Sequence, residues 1–203
     1  MSDVGKIFVI TAPSGTGKTT IINSVKKNIR EIGYSISHTT RKPREGEVHG
    51  IHYYFIDVEE FQRMIKRQEF LEWAFVYDQY YGTSIASIDK ELSSKKKDIL
   101  MDLDIQGAKA VKKRFPDSSL IFILPPSVQA LEERLKKRSK DGETNIALRI
   151  KKAIGEIQQC EDYDFIIIND DLNKAINEVE AIIISHRVSK EKRLLLVKKL
   201  FHI

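Results

Sequence analysis

The stretch Ala12-Pro13-Ser14-Gly15-Thr16-Gly17-Lys18-Thr19-Thr20 constrains the fold of this chain more than any other. A short apolar run with β-branched residues precedes it, Lys6 to Thr11 (KIFVIT), and reads as a strand buried on both faces. From Thr19 to Ile32, the residues Ile21, Ile22, Val25, Ile29 and Ile32 recur at helical spacing, with Gly33 as the expected stop. A phosphate group needs many donors in a small volume. Gly15 and Gly17 let the backbone wrap so that successive N–H groups point inward, and the helix N-terminus behind them adds a favourable dipole. Lys18 is then expected to reach the β- and γ-phosphates of a nucleotide, and the Thr19 hydroxyl to ligand Mg²⁺. The position that holds Gly in the general form of such a loop is Ala12 here. An ordinary Gly-rich turn is the plainer alternative, but the strand before and the helix behind favour the phosphate loop.

The remaining pattern fits an α/β protein. Ile99 to Leu103 (ILMDL) leads into a helical stretch from Gln106 to Arg114. Leu120 to Leu124 (LIFIL) leads through Pro125 and Pro126 to an N-cap at Ser127 and a helix to about Lys137. Phe165 to Ile168 precedes a last helical region from Asp171 to about Val188. Strands alternating with helices predict a parallel sheet with right-handed crossovers. The span from about His38 to Lys97 differs and reads as a small α+β insertion. It holds a polar loop, a capping box formed by Asp57 and Glu60 for a helix over 58–67, and a strand from Phe70 to Val76. Lys136 to Glu143 (KKRSKDGE) is a charged, Gly-containing break whose composition suits a closing flap.

Three further groups carry chemistry. Arg41 and Arg44 bracket Pro43 in SHTTRKPREGE, and guanidinium forks suit a second, separate phosphate; a solvated basic loop explains the same residues. Tyr53 and Tyr81 offer hydroxyl donors or half-buried packing. Asp102 and Asp104 emerge at the end of a parallel strand on one face, where ligands of open α/β sheets sit. Asp102 suits a metal's water shell or an arginine, and Asp104 suits either the crevice or an N-cap. Arg134 and Arg138 share one helix face at i, i+4, and Arg149 follows across the charged break. An arginine-bearing flap would supply positive charge and exclude water during phosphoryl transfer, although exposed helical arginines are common.

Taken in order, APSGTGKTT, SHTTRKPREGEVHGIHYYF, FLEWA, YYGTS, ILMDLDIQGA, IFILPPS and IINDD resemble the guanylate kinase family over about Ile7 to Leu172. The resemblance implies a P-loop NTPase-type parallel sheet flanked by helices. It implies a core of residues 1–36, 98–126 and 158–203, a GMP-binding insertion at 37–97 and a helical lid at 127–157. It implies transfer of a phosphoryl group from ATP to GMP. Residues 12–20 would bind ATP, with Asn169 approaching the adenine. Arg41, Arg44, Tyr53 and Tyr81 would hold the GMP phosphate. Ser37, Glu72, Thr83 and Asp104 would read the guanine, with Glu47 and Asp102 on the same side. Lys18, Arg41, Arg134, Arg138 and Arg149 would be catalytic, and Mg²⁺ would accompany ATP.

Composition narrows the rest. The chain has 203 residues, 41% hydrophobic and 31% charged, with a net charge of +5, which excludes wholesale disorder and leaves room for one core plus an insertion. Cys160 is the single cysteine, so no internal disulfide forms and a reducing compartment is compatible. No apolar run approaches the roughly 20 residues of a membrane span. The first residues contain no signal-like apolar region, so a cytoplasmic protein is expected. The partners expected are ATP and GMP, without nucleic acid or membrane, in a monomer or homodimer. His49 and His52 lack a further ligand set, and solvated or capping roles are expected. Trp73 is expected in the core or supporting Glu72. The tail (SKEKRLLLVKKLFHI) is expected to form a terminal helix packed on the body or on a subunit, although a basic amphipathic helix also suits a membrane. The rival from another class is a guanylate-kinase-like binding module, which the intact Gly15, Gly17, Lys18 and Thr19 disfavour. A regulatory GTPase is disfavoured because Ile168-Asn169-Asp170-Asp171 lacks the Asn-Lys-x-Asp guanine reader. Glu72 and Asp104 argue against an acceptor with another base.

Overall fold

The computed structural model describes residues 5–76, 78–93, 98–138 and 143–202, leaving aside the side chains of Arg138, Glu143, Thr144, Asn145 and Leu195. The chain begins with β1 (Lys6–Thr11), α1 (Lys18–Asn28) and β2 (Ile32–Ser35). It continues through β3 (His38–Thr39), β4 (Tyr54–Phe55), α2 (Val58–Lys66), β5 (Phe70–Val76), β6 (Gln79–Ser84) and α3 (Ile85–Leu92). Then come β7 (Asp98–Asp102), α4 (Ile105–Arg114), β8 (Ser119–Leu124), α5 (Val128–Arg138) and α6 (Glu143–Ile157). Last are β9 (Phe165–Ile168), α7 (Leu172–Arg187) and α8 (Lys190–Phe201).

β2, β7, β1, β8 and β9 form one sheet in that order, every neighbouring pair parallel. Its central strands are apolar on both faces because both are covered. Phe8, Ile10 and Leu100 face Ile21, Val25 and Val179 of α1 and α7. Val9, Ile99 and Met101 face Ile88 of α3 and Val111 of α4. Each such fully buried side chain contributes roughly 1.5–3 kcal/mol before entropy is counted. The chain leaves β1 into α1 on one face and leaves the adjacent β7 into α4 on the other. The crevice beyond the carboxyl ends of these two strands is therefore the switch point where α/β sheets bind ligands.

A second sheet, in the order β4-β3-β6-β5, is built from residues 38–84. Its β5–β6 ladder pairs Phe70 with Ser84 but Glu72 with Thr83, so Leu71 is an extra residue in a bulge. Bulges re-aim neighbouring side chains, and this one turns Glu72. Helix α3 follows at once, yet Ile88 is buried beneath the first sheet, so by packing it belongs with the larger body.

One expectation needs correction, and the terminal helix meets the body only in part. Helix α1 ends at Asn28, not Ile32; Ile29 is extended and Glu31 takes φ +59. Ile32 and Gly33 instead open β2, pairing with Asp98 and Ile99. Ile29 and Ile32 enter the same core cluster either way, so apolar spacing could not separate helix from strand. Helix α8 touches α7 but leaves Leu194, Leu200 and Phe201 44%, 62% and 68% exposed. Among the described residues, no helix is long and apolar enough to cross a membrane.

Candidate active site

The phosphate loop joins β1 to α1 at the switch point. Gly15 and Gly17 take φ +90 and +95, a left-handed geometry that side chains resist, and Gly17 caps α1. The Thr16 hydroxyl donates to the Pro13 carbonyl at 2.9 Å and ties the loop across itself. Helix α5 supports it from outside: a Cβ on Gly15 would lie 3.0 Å from Leu135. Residues 12–20 all line a cleft of about 1120 Å³.

β7 delivers its acids to the same cleft. Asp102 pairs with Lys18 at 2.5 Å, each side chain about a fifth exposed, and Lys18 also donates to the Leu103 carbonyl at 3.4 Å. Of the described side chains, it is the loop lysine and not an arginine that pairs with Asp102. Asp104 takes the capping alternative, accepting from the Gly107 N–H at 2.8 Å, while still bordering the cleft.

The second sheet supplies the facing wall. Glu72, Tyr53, Tyr81 and Ser37 line it. The hydroxyls of Ser37 and Thr83 lie 3.3 Å apart behind Glu72, and Thr83 is fully buried. Burial pushes the Glu72 carboxyl up to about 7; the Thr83 side chain and N–H oppose this, and the Asp104 charge adds to it. Burial, followed by the charges of Asp102 and Tyr81, pushes the Tyr53 hydroxyl up to about 12, so it remains a donor. Tyr53 and Tyr81 meet edge to face at 6.1 Å.

Arg41, Arg44, Glu47 and Thr83 stand outside the cleft lining. Glu47 organises their loop: one oxygen accepts from Arg41 at 2.9 Å and the other from the Arg44 backbone N–H at 2.7 Å. Gly46 at φ +81 makes that turn possible. The Arg41 guanidinium stacks near Tyr53 and Phe55, at 5.5 and 5.7 Å. On the helical side, Arg134 and Arg149 line the cleft, while the Arg138 side chain lies outside the described residues. Asn169, expected near adenine, is 4% exposed and gives its amide to the Thr16 carbonyl at 2.6 Å. Trp73 is 46% exposed, not in the core. His49 and His52 accept from the backbone N–H groups of Phe55 and Val48.

Sequence reasoning missed one cleft face. Lys152, Glu156 and Gln159 join Arg149 along α6 and the turn after it. Their 3-4-3 spacing with Arg149 is a helical stripe that could have marked them. It also missed Gly107, where a Cβ would lie 3.1 Å from the Glu72 carboxylate. Gly107→Ala gains about 1 kcal/mol of helix preference, which offsets strain against Leu103, whose Cβ lies 3.2 Å from the new Cβ. It should displace Glu72, raising the KM of the ligand that Glu72 binds about tenfold and sparing the ligand of the phosphate loop. Steady-state kinetics with each ligand varied in turn would read this, and two unchanged KM values would refute it.

A five-stranded parallel sheet with a wrapped, glycine-built turn after its first strand, lysine set against the acid of the neighbouring strand, defines the P-loop class of nucleotide-binding proteins. Within that class, the family model described as guanylate kinase matches residues 4–186. The chain is 46% identical over 189 residues to the guanylate kinase of Carboxydothermus hydrogenoformans, covering 93% of this chain and 92% of the relative. It is 46% identical over 202 residues to that of Buchnera aphidicola subsp. Schizaphis graminum, covering 97% of each. The crystal structure of guanylate kinase from Anaplasma phagocytophilum superposes with a TM-score of 0.78 at 30% identity, over 98% of this chain and 97% of that one. The chain belongs to the guanylate kinase family.

Proposed function

We propose that this chain transfers the terminal phosphoryl group of ATP to GMP, giving ADP and GDP, by direct in-line displacement without a covalent intermediate. One observation carries the reading: the phosphate loop and the Glu72 carboxylate face each other across a single cleft of about 1120 Å³. Residues 1–36, 98–126 and 158–203 form the ATP-binding body, on which α3 also packs, 37–84 the acceptor wall and 127–157 the lid. The loop N–H groups and Lys18 bind the triphosphate. Arg41 and Arg44, with the Tyr53 and Tyr81 hydroxyls, hold the phosphate of GMP once the arginine loop folds inward. Glu72, supported by Ser37, Thr83 and Asp104, reads the guanine edge. Arg134, Arg138 and Arg149 neutralise the moving group, and the lid excludes water.

Mg²⁺ fits the donors present. Thr19 is an exposed hydroxyl in the first turn of α1, and Asp102 is a carboxylate on the same cleft. Such hard oxygens, few in number and completed by substrate phosphates and water, suit this ion. When bound it neutralises charge on the β- and γ-oxygens. A cytoplasmic location belongs to the same proposal and rests on the supply of both nucleotides there.

A binding module that has lost catalysis is disfavoured by the complete phosphate loop and its Lys18–Asp102 pair. An ATP-dependent assay across GMP, AMP, CMP, UMP and TMP, reading ADP release, tests the reading. GMP-selective turnover is expected; nucleotide binding without turnover would overturn it in favour of the module.

A further inference from the structure

Asn169 stands at the carboxyl end of β9, 153 residues from the loop atom it touches. Its backbone N–H donates to the Leu124 carbonyl at 2.8 Å, which fixes it to the end of β8. Its side chain donates to the Thr16 carbonyl at 2.6 Å, and facing a carbonyl oxygen only the amide nitrogen can serve. The amide also fills the space over Gly17: a Cβ there would sit 2.7 Å from the Asn169 nitrogen. Arg134 closes the cluster, donating to the Asn169 carbonyl at 2.9 Å and to the Thr16 carbonyl at 3.5 Å. The Thr16–Gly17 peptide is planar and trans, so a carbonyl held toward Asn169 turns the Gly17 N–H the opposite way. At 4% exposure, Asn169 has almost no surface left for a base.

We infer that Asn169 is a positioning residue for the phosphate loop: it holds the Thr16 carbonyl outward so that the Gly17 N–H is presented to the triphosphate, and it acts on every triphosphate ligand whatever its base. Arg134 shares the same carbonyl, so the lid helix α5 is coupled to the orientation of that peptide. The inference rests on the phosphate loop binding a triphosphate in the function proposed above.

The test uses the full chain with Asn169→Ser and Asn169→Asp. Neither keeps a neutral amide donor at this position, and the second keeps its shape in case the first does not fold. ATP and ITP are compared as donors; ITP replaces the 6-amino group of adenine with a carbonyl. Inorganic tripolyphosphate, which has no base, is titrated as a competitor of ATP. The expected result is a fall of about 10²-fold in kcat/KM, equal for ATP and ITP, with tripolyphosphate binding weakened in step and the KM for GMP unchanged. A loss confined to ATP, with ITP and tripolyphosphate spared, would overturn the inference in favour of base reading. Unchanged values for all three would overturn it outright. Failure of the proposed reaction is distinguishable: the wild-type chain would then bind ATP and tripolyphosphate without turnover, and the binding comparison would still decide the role of Asn169.

Discussion

Lys18→Ala should reduce kcat by about 10³-fold or more while leaving the fold standing. The ammonium of Lys18 is the one positive charge among loop residues 12–20, and it sits at the head of α1 where the helix dipole already favours an anion. In the structure it is held by Asp102 at 2.5 Å and by the Leu103 carbonyl. An arriving triphosphate should compete for it, so that the lysine reaches the phosphates from a prepared position. Its effect on the reaction comes from charge that increases on the β- and γ-oxygens as the phosphoryl group moves, stabilisation that binding alone does not supply. Its effect on stability is small. The pair is partly exposed and screened, which limits its contribution to about 1 kcal/mol or less. Single-turnover measurement of ADP formation, alongside thermal unfolding, separates the two. A variant keeping more than a tenth of wild-type turnover would show that the loop lysine does not act on the moving group.

Glu72→Gln should lower kcat/KM for GMP by about 10⁴-fold and leave the KM for ATP near its wild-type value. Guanine presents N1–H and its 2-amino group side by side, two donors that one carboxylate accepts together. A glutamine offers one acceptor and one donor, so a buried donor is left facing another. Adenine has a lone pair at N1 and no 2-amino group, so AMP should be rejected as an acceptor. The bulge at Leu71, the buried Thr83 and the space left by Gly107 all serve the placement of this one group. Its acidity gives a second readout. Burial holds the Glu72 carboxyl near 7, with the Asp104 charge adding to the effect. Only the ionised form accepts from both guanine donors. As pH falls from 8 toward 6, kcat/KM for GMP should therefore decline through about 7, tending to tenfold per unit, while ATP binding stays level. In Glu72→Gln the decline attributable to this group should vanish. A pH profile identical in the two proteins would remove Glu72 from the acceptor site.

How legible the chain was differs from element to element. β1 and β8 were readable because buried parallel strands are continuous apolar runs bounded by polar or turn residues; β9 is a similar run, although at the sheet edge Phe165, Ile166 and Ile168 are exposed. The Asp57 cap on α2 was readable because capping is a contact between near neighbours, and Asp57 does accept from the Glu60 N–H at 2.7 Å. The end of α1 was not, since Ile29 and Ile32 enter the same core from either conformation. The stripe of α6 facing the cleft was overlooked because polar residues at helical spacing usually mark a solvated side. The terminal helix is legible from Leu194, Val197, Leu200 and Phe201 at helical spacing, which says which side asks for burial and nothing about the surface that meets it.

By itself the order of residues determined the phosphate loop, the alternation of strands with helices, the arginine-bearing insertion and the family to which they belong. Local backbone geometry is written in local residue types, and Gly15, Gly17, Lys18 and Thr19 lie within a single turn. Tertiary structure alone decided that Asp102 holds Lys18, that Gly107 makes room for Glu72, and that the amide of Asn169 supports the Thr16 carbonyl across 153 residues. Those contacts exist because β7 and β8 flank β1 and the chain folds a second sheet over their ends. Strand order is set by the packing of both faces at once, and no short window of sequence contains it.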